Sequence, residues 1–135
     1  MTKFILVSLV SGLLFGLMDG LINANPWATR LLAVYKPIAK NSINAPAGIV
    51  IDLAYGFILA GVFLLLYASL PGDTGLVKGI SFVLLVWFLR VVMAAASTWM
   101  MFTVPVPTLL YQLATGLGDM LVLGVLYGLT LQPSP

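Results

Sequence analysis

The sequence predicts an all-α bundle of four membrane-spanning helices, with a short amphipathic helix at the bilayer surface between the first and second. Three observations predict it. Of the 135 residues, 61% are hydrophobic and 7% charged. A soluble domain carries about 25% charged residues, so this chain has too few to cover a water-facing surface, and its mean hydropathy is +1.14. Four apolar runs, residues 4–22, 47–70, 76–102 and 108–131, reach the roughly 20 residues that a bilayer-crossing helix needs. Turn-forming residues punctuate them: Asn25-Pro26, Pro46, the stretch LPGDTG and the stretch VPVP.

The first run follows Lys3 and precedes INA, the outline of a secretory signal with a cleavage site. Asp19 interrupts the apolar region and Ile22 is a poor residue three before such a cut, so a retained helix is expected. Ser8, Gly12, Gly16 and Gly20 recur at every fourth position along it. Such a small-residue stripe lets another helix backbone approach closely.

Residues 26–37 form the surface helix. Asn25 caps it, Pro26 takes its first position, and Trp27, Leu31, Val34 and Tyr35 share one face. Arg30, Lys36 and Lys40 lie in the same connection, which suits a lipid headgroup boundary. The opposite side holds Lys3, Asp73 and Lys78, so the positive-inside rule puts the basic loop in the cytoplasm and both termini outside a plasma or inner membrane. Gly56 and Ala60 give the second span its small face, Ala94, Ala95, Ala96 and Ser97 the third, and Gly116, Gly124 and Gly128 the fourth. The short links after the second and third spans make those neighbours antiparallel and adjacent. Trp27, Tyr35, Tyr67, Trp99, Phe102 and Tyr127 fall near span ends, as an interfacial aromatic belt does.

Asp19, Asp52, Arg90 and Asp119 interrupt the apolar spans. Each costs about 2.5–3.5 kcal/mol at the bilayer centre on insertion scales, so they are expected to face the bundle interior and partner one another. Arg90 and Asp119 lie near the middle of adjacent spans and form the expected ion pair. Asp19 and Asp52 sit about 5–10 Å below the surface on the basic-loop side. Helical spacing puts Tyr111, Thr115 and Asp119 on one face with Gln112 beside it, Asp52 with Tyr55 and Gly56 on another, Asp19 with Asn23 on a third, and Arg90 with Ala94 and Ser97 on a fourth. All four spans thus offer polar groups to one internal site. Three aspartates against one arginine leave two negative charges uncompensated, so shared protons, a cation, a cationic ligand, a lysine such as Lys36 or Lys40 near Asp52, or a basic residue of another chain is expected to balance them.

The composition also restricts the chemistry. There is no cysteine and no histidine, which removes thiol catalysis, disulfides and the commonest metal and haem ligands. The few scattered cations do not suggest a nucleic-acid partner. Met18, Met93, Met100, Met101 and Met120 are read as packing residues. Gly116 to Asp119 reads GLGD, the short Gly-x-Gly-Asp signature of intramembrane aspartyl proteases, in which two aspartates share a proton and activate water. Those proteases have a tyrosine before the other aspartate and a Pro-Ala-Leu segment after the signature. Here Met18 and Ile51 precede the two candidates and no such segment follows. The similar GLMD of the first span also admits an inverted repeat, since the two helices run in opposite directions.

No catalytic residue, metal or cofactor is assigned. The leading expectation is a non-enzymatic subunit whose partners, besides the lipid bilayer, are other membrane subunits or a second copy. The alternative is a homo-oligomeric carrier or channel for a proton, small cation or cationic solute, with an intramembrane aspartyl hydrolase ranked last.

Overall fold

The computed structural model describes residues 2–38 and 44–131, so Lys40 lies outside the described residues. Helix α1 spans Thr2–Asn23, α2 Pro26–Leu31, α3 Ala45–Leu66, α4 Gly75–Trp87, α5 Met93–Met101 and α6 Val106–Thr130. A 3-10 segment, Ala33–Ile38, follows α2, a 3-10 turn closes α3, and a π-turn, Phe88–Val92, joins α4 to α5. No strand occurs among the described residues. Four stretches, Thr2–Asn23, Ala45–Ser69, Gly75–Met101 and Val106–Thr130, are long and apolar enough to cross a bilayer. By length and composition they are the helices of a membrane protein, and each end falls within two residues of the sequence expectation.

The punctuation acts as its chemistry predicts. Asn25 Oδ1 accepts the Ala28 N–H at 2.9 Å, capping α2, while its Nδ2 donates to the Leu21 and Ile22 carbonyls at the end of α1. One side chain therefore satisfies two helix ends. In LPGDTG, Gly72 adopts φ 115°, a left-handed conformation that only glycine takes cheaply, and Thr74 Oγ1 accepts the Val77 N–H to start α4. Lys78 Nζ donates to the Tyr67 and Leu70 carbonyls at 2.7 and 3.0 Å, closing the end of α3.

The expected surface helix is broken. Its α-helical part stops at Leu31, because the Pro37 ring clashes with the carbonyl four residues back in an α-helix and the chain continues as tighter 3-10 turns. Ala28 is the residue it buries, whereas Trp27 and Val34 face outward. Trp27 carries the Arg30 guanidinium at 6.0 Å from its ring centre.

Two helical hairpins form the bundle: α1 packs on α3, α4 packs on α6, and α1 against α6 joins them. Ser8 and Gly12 are buried at the first contact, where a Cβ on Gly56 meets the Ser8 carbonyl and the Gly12 backbone. Gly124 and Gly128 meet Gly79 and Gly75 at the second. Both contacts lie in the half of the bundle nearest the α3–α4 turn. The core lies in this half, where Phe63 packs on Phe82 and Tyr127 at ring separations of 5.5 and 5.9 Å, with Phe15, Met120 and Leu123 also enclosed.

Several expectations change. Gly16 faces the Asp52 side chain rather than a helix backbone, and Gly20 has nothing within 4 Å of where a Cβ would stand, so the stripe of α1 packs tightly over only part of its length. Tyr127 is buried in the core and does not belong to an interfacial belt, because α6 faces α3 there and its hydroxyl lies 3.5 Å from the Gly56 carbonyl. Of the methionines, Met120 is core, but Met93, Met100 and Met101 are exposed on the outer surface of α5.

Candidate functional site: an acidic cavity between α1, α5 and α6

In the half nearest the α1–α3 connection the helices part around a cavity of about 390 Å³. Asp19, Asn23, Arg90, Tyr111, Thr115 and Asp119 all line it. Six of the eight polar residues singled out in the sequence therefore meet in one place. α1 contributes its last turn, the π-turn contributes Arg90, and α6 contributes one face at four-residue steps.

Asp119 is 5% exposed, and its Oδ1 has no hydrogen-bond partner. The Asp19 carboxyl is a neighbour of the Asp119 side chain in the same cavity. When both are ionised, the two carboxylates offer each other only acceptors, and a buried acceptor without a donor is costly. Most other polar groups of the lining are already engaged. Thr115 Oγ1 donates to the Tyr111 carbonyl at 2.8 Å, Tyr111 donates its hydroxyl to the Ile22 carbonyl, and Asn23 Nδ2 donates to the Asp19 carbonyl at 2.8 Å.

The expected Arg90–Asp119 pair is not made by contact. The Arg90 guanidinium lies 5.1 Å from the ring centre of Phe15 and 4.9 Å from that of Tyr55. It acts on Asp119 and Asp52 through space only. Placing charges by counting from span ends assumes that the ends are level. Here α6 runs past the end of α1 towards the connection, where Thr108 donates to the Leu31 carbonyl of α2. That offset brings Asp119 opposite Asp19. The π-turn adds to it: an i→i+5 turn shifts the helical phase beyond it. Thr98 therefore lines the cavity where an unbroken helix puts Ser97, which is exposed.

Asp52 and Tyr55 stand apart from the cavity. Asp52 fills the space above Gly16 and lines a separate outer groove of about 500 Å³ between α1 and α3, together with Gly20 and Gly48. Tyr55 joins the site only through Arg90, whose charge it holds against its ring face. Lys36 does not lean towards Asp52; it borders a recess with Asn23 and Gln112 on the far side of Tyr35.

Two residues of the site had weak sequence signals. Tyr35 accepts the Gln112 amide at 3.3 Å and separates the cavity from that outer recess, although the sequence marks it only as interfacial. Asn25 reaches beyond its cap to donate to Tyr111 Oη at 3.0 Å, tying α1 and α2 to α6. A cap signature carries no trace of this third partner. No family model matches the chain, and no curated protein or solved structure is similar to it.

Proposed function

We propose that the protein binds and carries a cation, with Asp19 and Asp119 as the binding carboxylates and Arg90 as the neighbouring charge that tunes them. The observation that supports this reading is the unpartnered, buried Asp119 Oδ1 beside a second carboxyl, in a cavity within the apolar span region. Intramembrane carboxylates of this kind mark ion and proton pathways. The four long helices cross the bilayer, and the α1–α3 connection, with Arg30, Lys36 and Lys40, lies on the cytoplasmic side. The cavity then faces the cytoplasm and the packed aromatic core seals the other side.

The test is flux in liposomes. Asp119→Asn and Asp19→Asn are each expected to abolish proton or cation flux while the folded protein accumulates at the wild-type level. Wild-type flux from either variant removes the reading. The same apposed pair also meets the first requirement of two-carboxylate hydrolysis, but the sequence around both aspartates departs from the protease pattern. Intact model transmembrane peptides after incubation with the protein exclude that role.

A second reading is favoured by the outer groove. Gly20 and Gly48 leave open space beside Asp52 on the lipid-facing side of α1 and α3, where a helix of another chain fits. The protein is then a subunit of a larger assembly. Native mass spectrometry from its own membranes separates the two: a stoichiometric complex with other chains supports the subunit, a monomer or homo-oligomer the carrier.

A further inference from the structure

The cation that balances the acid pair has a size and a shape as well as a charge. Beyond its polar groups the cavity is walled by Ile22, Leu32, Val91, Ala94 and Ala95. These offer nothing to a bare ion. Among the described residues no group of three metal-ligating side chains comes together, whereas a calcium ion takes six to eight oxygen ligands and magnesium a near-ideal octahedron. A volume of about 390 Å³ falls within the 300–1,000 Å³ range of small-molecule pockets.

The hydrogen-bond inventory points the same way. Hydroxyl and amide hydrogens of Thr115, Tyr111 and Asn23 are given to backbone carbonyls, and Gln112 gives one to Tyr35. Ionised, the acid pair lacks a donor: no hydrogen bond reaches Asp119 Oδ1. A primary ammonium brings three in one compact charged group. Arg90 does not supply them, because its guanidinium is held over Phe15 and Tyr55.

We infer that the cavity takes an organic monoammonium ion with an apolar body, its ammonium between Asp19 and Asp119 and its hydrocarbon part against Ile22, Leu32, Val91, Ala94 and Ala95. This rests on the cation-binding reading above and narrows it to one ligand class. A ligand that binds only the folded state raises the unfolding midpoint as its concentration exceeds the dissociation constant.

The experiment is thermal unfolding of the protein in lipid nanodiscs with four probes: phenethylammonium, the uncharged phenethyl alcohol, phenylacetate and sodium ion. Phenethylammonium alone is expected to raise the midpoint, in a saturable way. Asp119→Asn is expected to weaken that binding at least about tenfold, the loss typical of a hydrogen bond to a charged group. The comparison of amine with alcohol needs only the wild-type protein, so it stands even where the variant does not fold. An equal shift with the alcohol means apolar partitioning and overturns the inference. A shift with phenylacetate assigns the cavity to Arg90 and also overturns it. A shift with sodium but not the amine, lost in Asp119→Asn, overturns the ligand class and leaves the cation reading standing. No shift with any probe removes the inference and, if flux is also absent, the cation reading with it.

Discussion

Near the α3–α4 turn the helices close on Phe63, Phe82, Met120, Leu123 and Tyr127, with glycines at each hairpin contact. Near the α1–α3 connection the same helices stand apart around Asp19, Arg90 and Asp119. The same four spans thus make a dry, aromatic packing at one end and a polar cavity at the other. Side-chain size sets the difference. Gly12 meets the backbone of Asp52 and Leu53, and Gly79 meets the Gly124 carbonyl, but further along Asp52 stands over Gly16 and Val91 stands over Gly116. Glycine against backbone draws helices together, and glycine against a side chain holds them one side chain further apart. The cavity is therefore a product of where the close contacts stop.

The largest effect is expected at the closed end. A Cβ on Gly79 runs into the Gly124 carbonyl oxygen, which is backbone and cannot swing away. Gly79→Leu forces α4 from α6 and is expected to cost more than about 4 kcal/mol, in the range reserved for disrupted cores. Size-exclusion chromatography of the purified protein should show loss of the monodisperse species. Gly118→Leu is the control, since nothing lies within 4 Å of that position. If Gly79→Leu behaves like the control, the close approach of α4 and α6 is wrong.

A smaller effect is expected where the open end is roofed. Tyr111 donates to the Ile22 carbonyl and accepts from Asn25, linking α6 to both helices of the connection. Tyr111→Phe removes both bonds and is expected to cost about 1–3 kcal/mol, the sum of two part-buried hydrogen bonds, while the Ile22 carbonyl keeps Asn25 Nδ2 as a donor. Hydrogen exchange should rise in residues 26–38 and stay unchanged in 59–63. A uniform rise across both segments means that the two ends are not separable units.

These contrasts also show which features a single sequence exposes. The four spans were legible because a helix in lipid must be long and apolar, and Asn25-Pro26, Gly72 and Thr74 work through local chemistry that spacing records. The gathering of Asp19, Asn23, Arg90, Tyr111, Thr115 and Asp119 was legible too, since ionisable groups in spans turn inward. Their pairing was not. It depends on the offset between α1 and α6 and on the phase shift of the π-turn at Phe88–Val92, both set by contacts between distant residues. Gly75 and Gly79 were missed for a related reason. Gly75 reads as the last turn residue of LPGDTG and Gly79 goes unremarked, and only the facing Gly124 and Gly128 reveal them as packing positions.

The smallest effect expected is the one that separates the groove from the contact. Gly12 and Gly20 belong to the same stripe, yet a Cβ on Gly12 stands 2.8 Å from the Asp52 carbonyl oxygen and one on Gly20 meets nothing. Gly12→Ala is expected to destabilise by about 1–3 kcal/mol, as overpacking does. Gly20→Ala is expected to be neutral or to stabilise by up to about 1 kcal/mol, the helix-propensity gain over glycine. Denaturant unfolding of the isolated variants measures both. The informative case is a divergence between isolated and native settings. If Gly20→Ala is harmless in the purified protein but lowers the mass of the species extracted from native membranes, its open face is filled there by another helix. The groove beside Asp52 is then an interface, and the cavity on the other side of α1 belongs to one member of an assembly. If the mass is unchanged, lipid covers Gly20, and α1 is a divider between a lipid-filled groove and the acidic cavity.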